Sequence, residues 1–361
     1  MESFRCSVCD GLVFFDNSLC LTCGSSLGYV RAERSLVALT ESDGTLLRAD
    51  GTPGSYRWCA NRELARCNWL VAVDDAEALC ESCRLTSVRP NDAEVDAHVA
   101  FADAETAKRR LVSQLDALDL PIVPRAGAAD ADPEHGLTFE FLSSRGRSVT
   151  TGHQSGVITL DLSESDDAHR EFVRQQLGEP YRTVLGHLRH EIGHYYWPML
   201  VERAGLLDEY RSLFGDERAS YEDALSQHYG GGSSADWVDT HVSQYATMHP
   251  WEDWAETFAH YLHIHGGLET SDAFGIEVGE PSRSAGAGAW ASSTAVAIGP
   301  MIGTWLGLTF ALNAMSRSIG QPDLYPFVLS PTVVSKLDFV HRAITSAAAG
   351  RSAAGGRVST M

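Results

Sequence analysis

All eight cysteines of this 361-residue chain lie before residue 84, in two groups of four. The first group is Cys6-x2-Cys9 followed by Cys20-x2-Cys23, and the second is Cys59-x7-Cys67 followed by Cys80-x2-Cys83. A CxxC turn aims two sulfurs at one point. Two such turns facing each other complete the tetrahedral four-thiolate set of a structural zinc. The second group opens on a longer spacing but closes on the same CxxC. A disulfide framework is the competing reading. The opening residues, Met1-Glu2-Ser3-Phe4-Arg5-Cys6, show no apolar secretory stretch, and paired CxxC spacing favours metal. A redox CxxC would sit between a strand and a helix, which neither group does. The expectation is a cytoplasmic protein whose residues 1–90 form a tandem zinc-ribbon module, two small β ribbons at about 1–38 and 50–88, with two structural zincs.

Charge bears on what such a module could bind. The chain holds 28 Lys+Arg against 48 Asp+Glu, a formal net charge of −20. Residues 1–90 alone carry nine Arg and no Lys against twelve carboxylates, and four-thiolate zinc centres would add negative charge. Phosphate recognition needs clustered positive charge, and the one candidate cluster is Arg57, Arg62, Arg66, Arg84 and Arg89 around the second cysteine group. A protein partner is therefore expected for the ribbons, and nucleic acid is not. Lys108 and Lys336 are the only lysines, as a codon-composition bias toward Ala and Gly would give. Thr294–Met315 is apolar but interrupted by Gly299, Pro300, Gly303, Thr304, Gly307 and Asn313. It reads as a buried helix with an irregular start rather than a membrane span, so no membrane is expected.

Beyond the ribbons, residues 91–136 read as a helical linker. A helix over 92–119 has Val95, Val99, Ala102, Leu111, Leu115 and Leu118 as its apolar positions, and a polar loop follows from Ala126 to Gly136. Leu137–Leu142 and Val157–Leu162 alternate like strands, with Thr151–Gly156 as a turn. Glu171–Leu177 and Tyr181–Ala204 read as helices, and Pro250 opens another through about His265. Gly230–Ser234 reads as a flexible loop, and 347–361 as a disordered tail.

The chemistry is carried by His190-Glu191-Ile192-Gly193-His194. On a helix, positions i and i+4 share a face, so both imidazoles can reach one metal. Glu191 is rotated by about 100° from His190 and can meet a metal-bound water rather than the metal. Zinc lowers the pKa of that water, and the carboxylate takes its proton. A catalytic zinc needs a third protein ligand. Its best source is the run from His249 to His260, where Glu252, Glu256 and His260 share a helical face. Helical geometry alone does not separate Glu252 from Glu256. His153, placed before a strand that in zincins often borders the cleft, and His187, His228, His241, His263 and His265 have no spacing that assigns them a role.

This pattern, an HExxH followed by an ExxxE helix, resembles the gluzincin-type metallopeptidases. The run Tyr245-Ala246-x3-Pro250-x-Glu252-x2-Ala255-Glu256-x-Phe258-Ala259 is similar to the branch that includes anthrax lethal factor. Over about residues 4–345 the chain resembles bacterial zinc-binding metallopeptidases that begin with a zinc ribbon. The phrases Trp58–Leu64, Gly178–Arg182 and Pro322–Phe327 carry that likeness. The resemblance implies that Glu252 is the third ligand, that Glu256 orients a ligand imidazole, and that Tyr245 donates a hydrogen bond to the oxyanion. It implies a fold of the α+β class, a mainly helical zincin-like domain with a small sheet over 137–346. The function then expected is hydrolysis of a peptide or isopeptide bond through a zinc-bound water activated by Glu191, with one catalytic zinc and two structural ones. A zinc-stabilised scaffold with an inactive zincin domain and a DNA-associated protease are the alternatives.

Overall fold

The computed structural model describes residues 3–144, 149–177, 179–231, 237–279 and 297–355. The chain divides into two compact units. The first consists of residues up to 116, 121–173 and 183–188, and the second of 117–120, 174–182 and 189 onward.

In the first unit, β1 (Ser3–Arg5) and β2 (Leu12–Phe14) pair as a hairpin. Then β3 (Ser26–Val30), β4 (Ser35–Ser42), β5 (Thr45–Arg48), β6 (Ser55–Trp58) and β7 (Leu70–Ala72) follow one another as a five-stranded antiparallel meander. One sheet therefore runs between the two cysteine groups, in place of two separate ribbons. The residues expected to separate the ribbons are turns inside it. Asp43 and Gly44 both adopt positive φ, 51° and 76°, as a tight two-residue hairpin requires. The sheet buries Val30, Val37, Leu39, Leu46, Tyr56 and Leu70 on one another.

After α1 (Glu81–Arg84), β8 (Thr86–Val88) leads into α2 (Val95–Ala117). β9 (Thr138–Leu142), β10 (Gly152–Gln154) and β11 (Val157–Asp161) complete a second sheet in the order β10-β11-β9-β8. β8 and β11 each run parallel to β9, and β10 pairs antiparallel with β11. Part of the expected turn at Thr151–Gly156 is thus a strand, and His153 Nε2 accepts from the Gly156 N–H (3.0 Å) to close the hairpin.

The segment expected as a linker is a core element of this unit. Phe101, Leu111, Val112 and Leu115 of α2 are fully buried, whereas Val95 and Val99 are exposed. Periodicity finds the helix but not which of its turns meets the core. Arg31 grips Asp116 through two 2.8 Å hydrogen bonds, Arg110 pairs with Asp16 at 2.6 Å, and the Phe101 ring lies 6.1 Å from Phe141. Lys108 is sealed from water. Its Nζ donates to Glu105 Oε1 at 2.7 Å, and the Thr86 hydroxyl donates to the same oxygen at 2.5 Å.

Helices α3 (Asp167–Leu177) and α4 (Val184–Trp197) lead in sequence into the second unit. α4 was expected to run to Ala204. Proline has no N–H to donate, and from Pro198 the helix widens into a π turn ending at Glu202. α5 (Leu207–Phe214), α6 (Tyr221–Gly231), α7 (Pro250–Ala273), α8 (Gly299–Ser318) and α9 (Pro331–Gly355) complete the unit. An aromatic core joins α5, α7 and α9. Trp254 lies 5.7 Å from Phe258, 6.3 Å from Tyr210 and 6.1 Å from Phe339.

Four expectations change here. α7 continues to Ala273, past His265. Residues 347–355 are the last turns of α9 rather than tail, and 356–361 lie outside the described residues. Gly230 and Gly231 end α6, and the rest of that expected loop lies outside the described residues. α8 is not buried on all sides. Ile302, Trp305 and Leu308 face inward while Phe310 and Met315 are exposed. Among the described residues no helix is long and apolar enough to cross a membrane.

Lys336, the second lysine, sits on α9 and is buried. Its Nζ pairs with Asp253 Oδ2 (2.5 Å) and donates to the Thr240 carbonyl (2.7 Å). Removing one partner of a buried pair leaves an uncompensated charge, so Lys336→Ala should destabilise the fold by about 3–5 kcal/mol. Urea denaturation reads this directly, and a loss of under about 1 kcal/mol, the range of a solvated surface pair, would show that water reaches Asp253.

Candidate metal centre

The arrangement begins with backbone proximity between α4 and α7. A Cβ built on Gly193 would meet Ala255 Cα at 3.1 Å and Phe258 Cβ at 3.2 Å. Two helices can lie this close only where one presents bare backbone. Trp254 Nε1 donates to the Gly193 carbonyl at 2.8 Å and clamps the crossing.

Next to Gly193 and one turn before it, the crossing brings three candidate ligand atoms together. His190 Nε2 is 2.9 Å from Glu252 Oε2 and 3.2 Å from His194 Nε2, and His194 Nε2 is 3.4 Å from the same carboxylate oxygen. A tetrahedral zinc with bonds of about 2.0–2.1 Å places its ligands about 3.3 Å apart, so the triangle has the right size. The chemistry of the donors agrees. Glu256 Oε1 accepts from His190 Nδ1 at 2.7 Å, which keeps a proton on that nitrogen and leaves Nε2 facing the triangle. Two imidazole nitrogens and a carboxylate oxygen then face one another, an arrangement that a shared cation, proton or metal, stabilises.

The electrostatics point the same way. Burial alone would lower the His190 pKa, but Glu252 and Glu256 outweigh it and hold it well above the usual histidine value. Burial would raise both carboxyls, yet the histidines hold Glu252 far below the ordinary range and His190 holds Glu256 at about 2. Potential that favours a proton on His190 also favours a divalent cation there.

Around the triangle, the Ser243 hydroxyl donates to Glu256 Oε2 at 2.6 Å, and the Tyr221 hydroxyl donates to Glu252 Oε1 at 3.0 Å. Tyr245 lies with its ring centroid 5.8 Å from that of His190, and its hydroxyl is hydrogen-bonded to that of Tyr221. Burial first, and then the charge of Glu252, pushes both phenols above their usual pKa, so both remain donors. Trp251 stacks on Trp197, with centroids 5.4 Å apart, and lies 5.6 Å from the His194 ring. Glu191 is buried beside this group, and among the described residues no hydrogen-bond donor engages its carboxylate.

The expected residues His190, His194 and Glu252 thus converge, with Glu256 behind His190 and Tyr245 beside it. His260 does not reach the group. Its Nδ1 meets the Tyr325 hydroxyl at 2.9 Å, one turn farther along α7. His249 caps α7, its Nδ1 accepting from the Trp251 N–H at 3.1 Å. Tyr221, Ser243 and Trp251 were missed. Tyr221 sits 31 residues before Glu252 on a separate helix, and no periodicity links the two.

The two cysteine groups also close. All eight cysteines are free thiols. Sulfurs lie 3.7 Å apart for Cys6–Cys23, 3.6 Å for Cys9–Cys20 and 3.6 Å for Cys67–Cys80. A four-thiolate zinc with bonds of about 2.3 Å sets its sulfurs about 3.8 Å apart, which both groups fit. The arginine cluster near the second group is taken up by other partners. Arg57 donates to the carbonyls of Ala72, Val73, Asp75 and Glu77. Arg66, Arg84 and Arg89 pair with Asp103, Asp75 and Asp92, and Arg62 lies 3.4 Å over the Trp58 ring and 3.8 Å from Glu63.

Residues 97–343 match the model of the family described as "Putative zinc-binding metallo-peptidase", and residues 3–94 match a zinc-ribbon domain. The chain belongs to this zinc-binding metallopeptidase family, with a zinc-ribbon region ahead of a helical domain that carries a small sheet. It is 46% identical over 354 residues to an uncharacterized protein of Mycobacterium tuberculosis and to one of Mycobacterium bovis, the match covering 96% of this chain and 96% of each relative. No solved structure matches the chain.

If the crossing at Gly193 sets the ligand distances, Gly193→Val should force the helices apart. The expected cost is about 1–3 kcal/mol of stability, as for other overpacked cores, together with loss of one zinc per chain by elemental analysis. Full metal content in the folded variant would show that the ligands tolerate a wider crossing.

Proposed function

We propose that the chain is a zinc-dependent peptidase whose catalytic metal is held by His190, His194 and Glu252, with two further zincs in the cysteine groups. The observation that carries this reading is the convergence of two imidazole nitrogens and a carboxylate oxygen from two helices at the spacing of a zinc coordination edge. Zinc bound there would acidify a water and polarise the scissile carbonyl.

The remaining chemistry belongs to the chain. Glu191, one residue from a ligand and with no donor on its carboxylate among the described residues, accepts a proton from the attacking water. Oxygen adds to the carbonyl carbon, the C–N bond breaks, and Glu191 returns the proton to the leaving amine. Tyr245, kept protonated by its surroundings, donates to the carbonyl oxygen as negative charge builds there. Glu256, supported by Ser243, holds the His190 ring and its tautomer through the cycle. A peptide and an isopeptide carbonyl suit this chemistry equally.

The paired arginines near the second cysteine group leave the ribbon region without a free basic face there, which disfavours the DNA-associated alternative and supports a protein partner. Eight free thiols in metal-sized groups fit a reducing compartment such as the cytoplasm.

Glu191→Gln keeps the side chain's shape and removes its basicity. It should retain all three zincs and lose about 10²–10⁴-fold in turnover of a peptide library. Undiminished cleavage by the metal-loaded variant would sink the mechanism. His190→Ala should lose one zinc of the three and keep the two bound by cysteine.

A further inference from the structure

We propose that Tyr221 is a positioning residue that restricts Glu252 to a single ligating oxygen and so keeps a coordination place open for substrate. This rests on the reading of His190, His194 and Glu252 as a zinc set. The two oxygens of Glu252 have different neighbours. Oε2 faces the imidazoles at 2.9 and 3.4 Å, whereas Oε1 accepts the Tyr221 hydroxyl at 3.0 Å. A carboxylate not held this way can turn and offer both oxygens to one metal. A zinc site that works on substrate needs a place that no protein atom fills.

Tyr221 is set there by several independent contacts. Its ring lies edge-on to His249, with centroids 5.4 Å apart. His249 Nε2 donates to the Ala219 carbonyl at 3.1 Å while Nδ1 accepts from the Trp251 N–H, so one imidazole ties the start of α6 to the turn that carries Glu252. The Tyr210 hydroxyl donates to the Pro250 carbonyl at 2.8 Å and fixes the same turn from another helix. The phenol protons are also ordered. Tyr221 has one proton and gives it to Glu252, so in its bond with Tyr245 it must accept. Tyr245 therefore donates to Tyr221 and must turn its proton to a substrate oxygen when one arrives, while Tyr221 stays committed to Glu252.

Tyr221→Phe keeps the ring and removes only the hydroxyl, so it separates this role from packing. In the full-length protein a chelator should strip the three-ligand site before the four-thiolate sites, and cobalt(II) can then be loaded into it. The wild type should show an intense visible band, as four-coordinate cobalt gives. In Tyr221→Phe the band should shift and lose intensity as the second carboxylate oxygen joins, and kcat should fall about 10–100-fold with KM little changed. Tyr245→Phe should lower kcat and leave the band in place. Cobalt spectra of wild type and Tyr221→Phe that superimpose would overturn the proposal, as would an equal band change in Tyr245→Phe. If wild type takes up no third metal, the reading of the site itself fails and this inference falls with it. Retention of two zincs and an unchanged circular dichroism spectrum identify a folded variant.

Discussion

Everything at the proposed metal centre depends on two helices lying closer than side chains ordinarily permit. Gly193 offers no Cβ, Ala255 opposite it offers only a small one, and the Trp254 indole bonds across the gap. That approach turns two local patterns into one site. HExxH aligns two imidazoles on α4, and ExxxE aligns two carboxylates on α7, but neither helix alone can enclose a cation. Ligand atoms must meet within a few tenths of an ångström, which packed helices achieve more reliably than loops. The aromatic core of Trp254, Phe258, Tyr210 and Phe339 serves this end by fixing α7 against its neighbours in the second unit.

The charge pattern follows from how this acidic chain places its cations. Both lysines are buried, each against a carboxylate and a further oxygen: Lys108 with Glu105 and Thr86, Lys336 with Asp253 and Thr240. A compact ammonium fits such places, whereas a planar guanidinium needs room for its fork. Asp253 precedes Trp254 and follows Glu252 on α7. Its bond to Lys336 therefore secures the turn that carries Glu252 to α9 and to the chain at Thr240, five residues before Tyr245.

Local chemistry was legible in the sequence and tertiary choice was not. CxxC and HExxH are readable because their geometry is complete within one turn of chain. The second cysteine group, with its seven-residue spacing, was readable because its closing CxxC repeats the first. The single meander was not, since strand alternation in β4 and β5 does not say that both ribbons share a sheet. Val95 and Val99 misled because amphipathic spacing leaves open which turns of α2 meet the core. Residues 347–355 read as tail from their small side chains, yet alanine is the strongest helix former and α9 simply continues. Tyr221 and Ser243 were beyond reach, because each touches the site only through a side chain from another element.

Glu252 and Glu256 show what the fold adds to such a motif. Both are glutamates on one face of α7, one turn apart, and the helix does not rank them. His190 does, because the two carboxylates approach opposite nitrogens of its single ring. The nitrogen facing Glu256 bears the proton, held there by a carboxylate whose other oxygen is occupied by Ser243. With zinc bound the ring would be neutral, so the nitrogen facing Glu252 would present a lone pair to the metal. Glu252 and that nitrogen, 2.9 Å apart, need a cation between them, a proton without metal and the zinc when it is bound. The Ser243 bond, two residues before the tyrosine of the motif, thus helps hold Glu256 on the far nitrogen and leaves Glu252 as the proposed ligand.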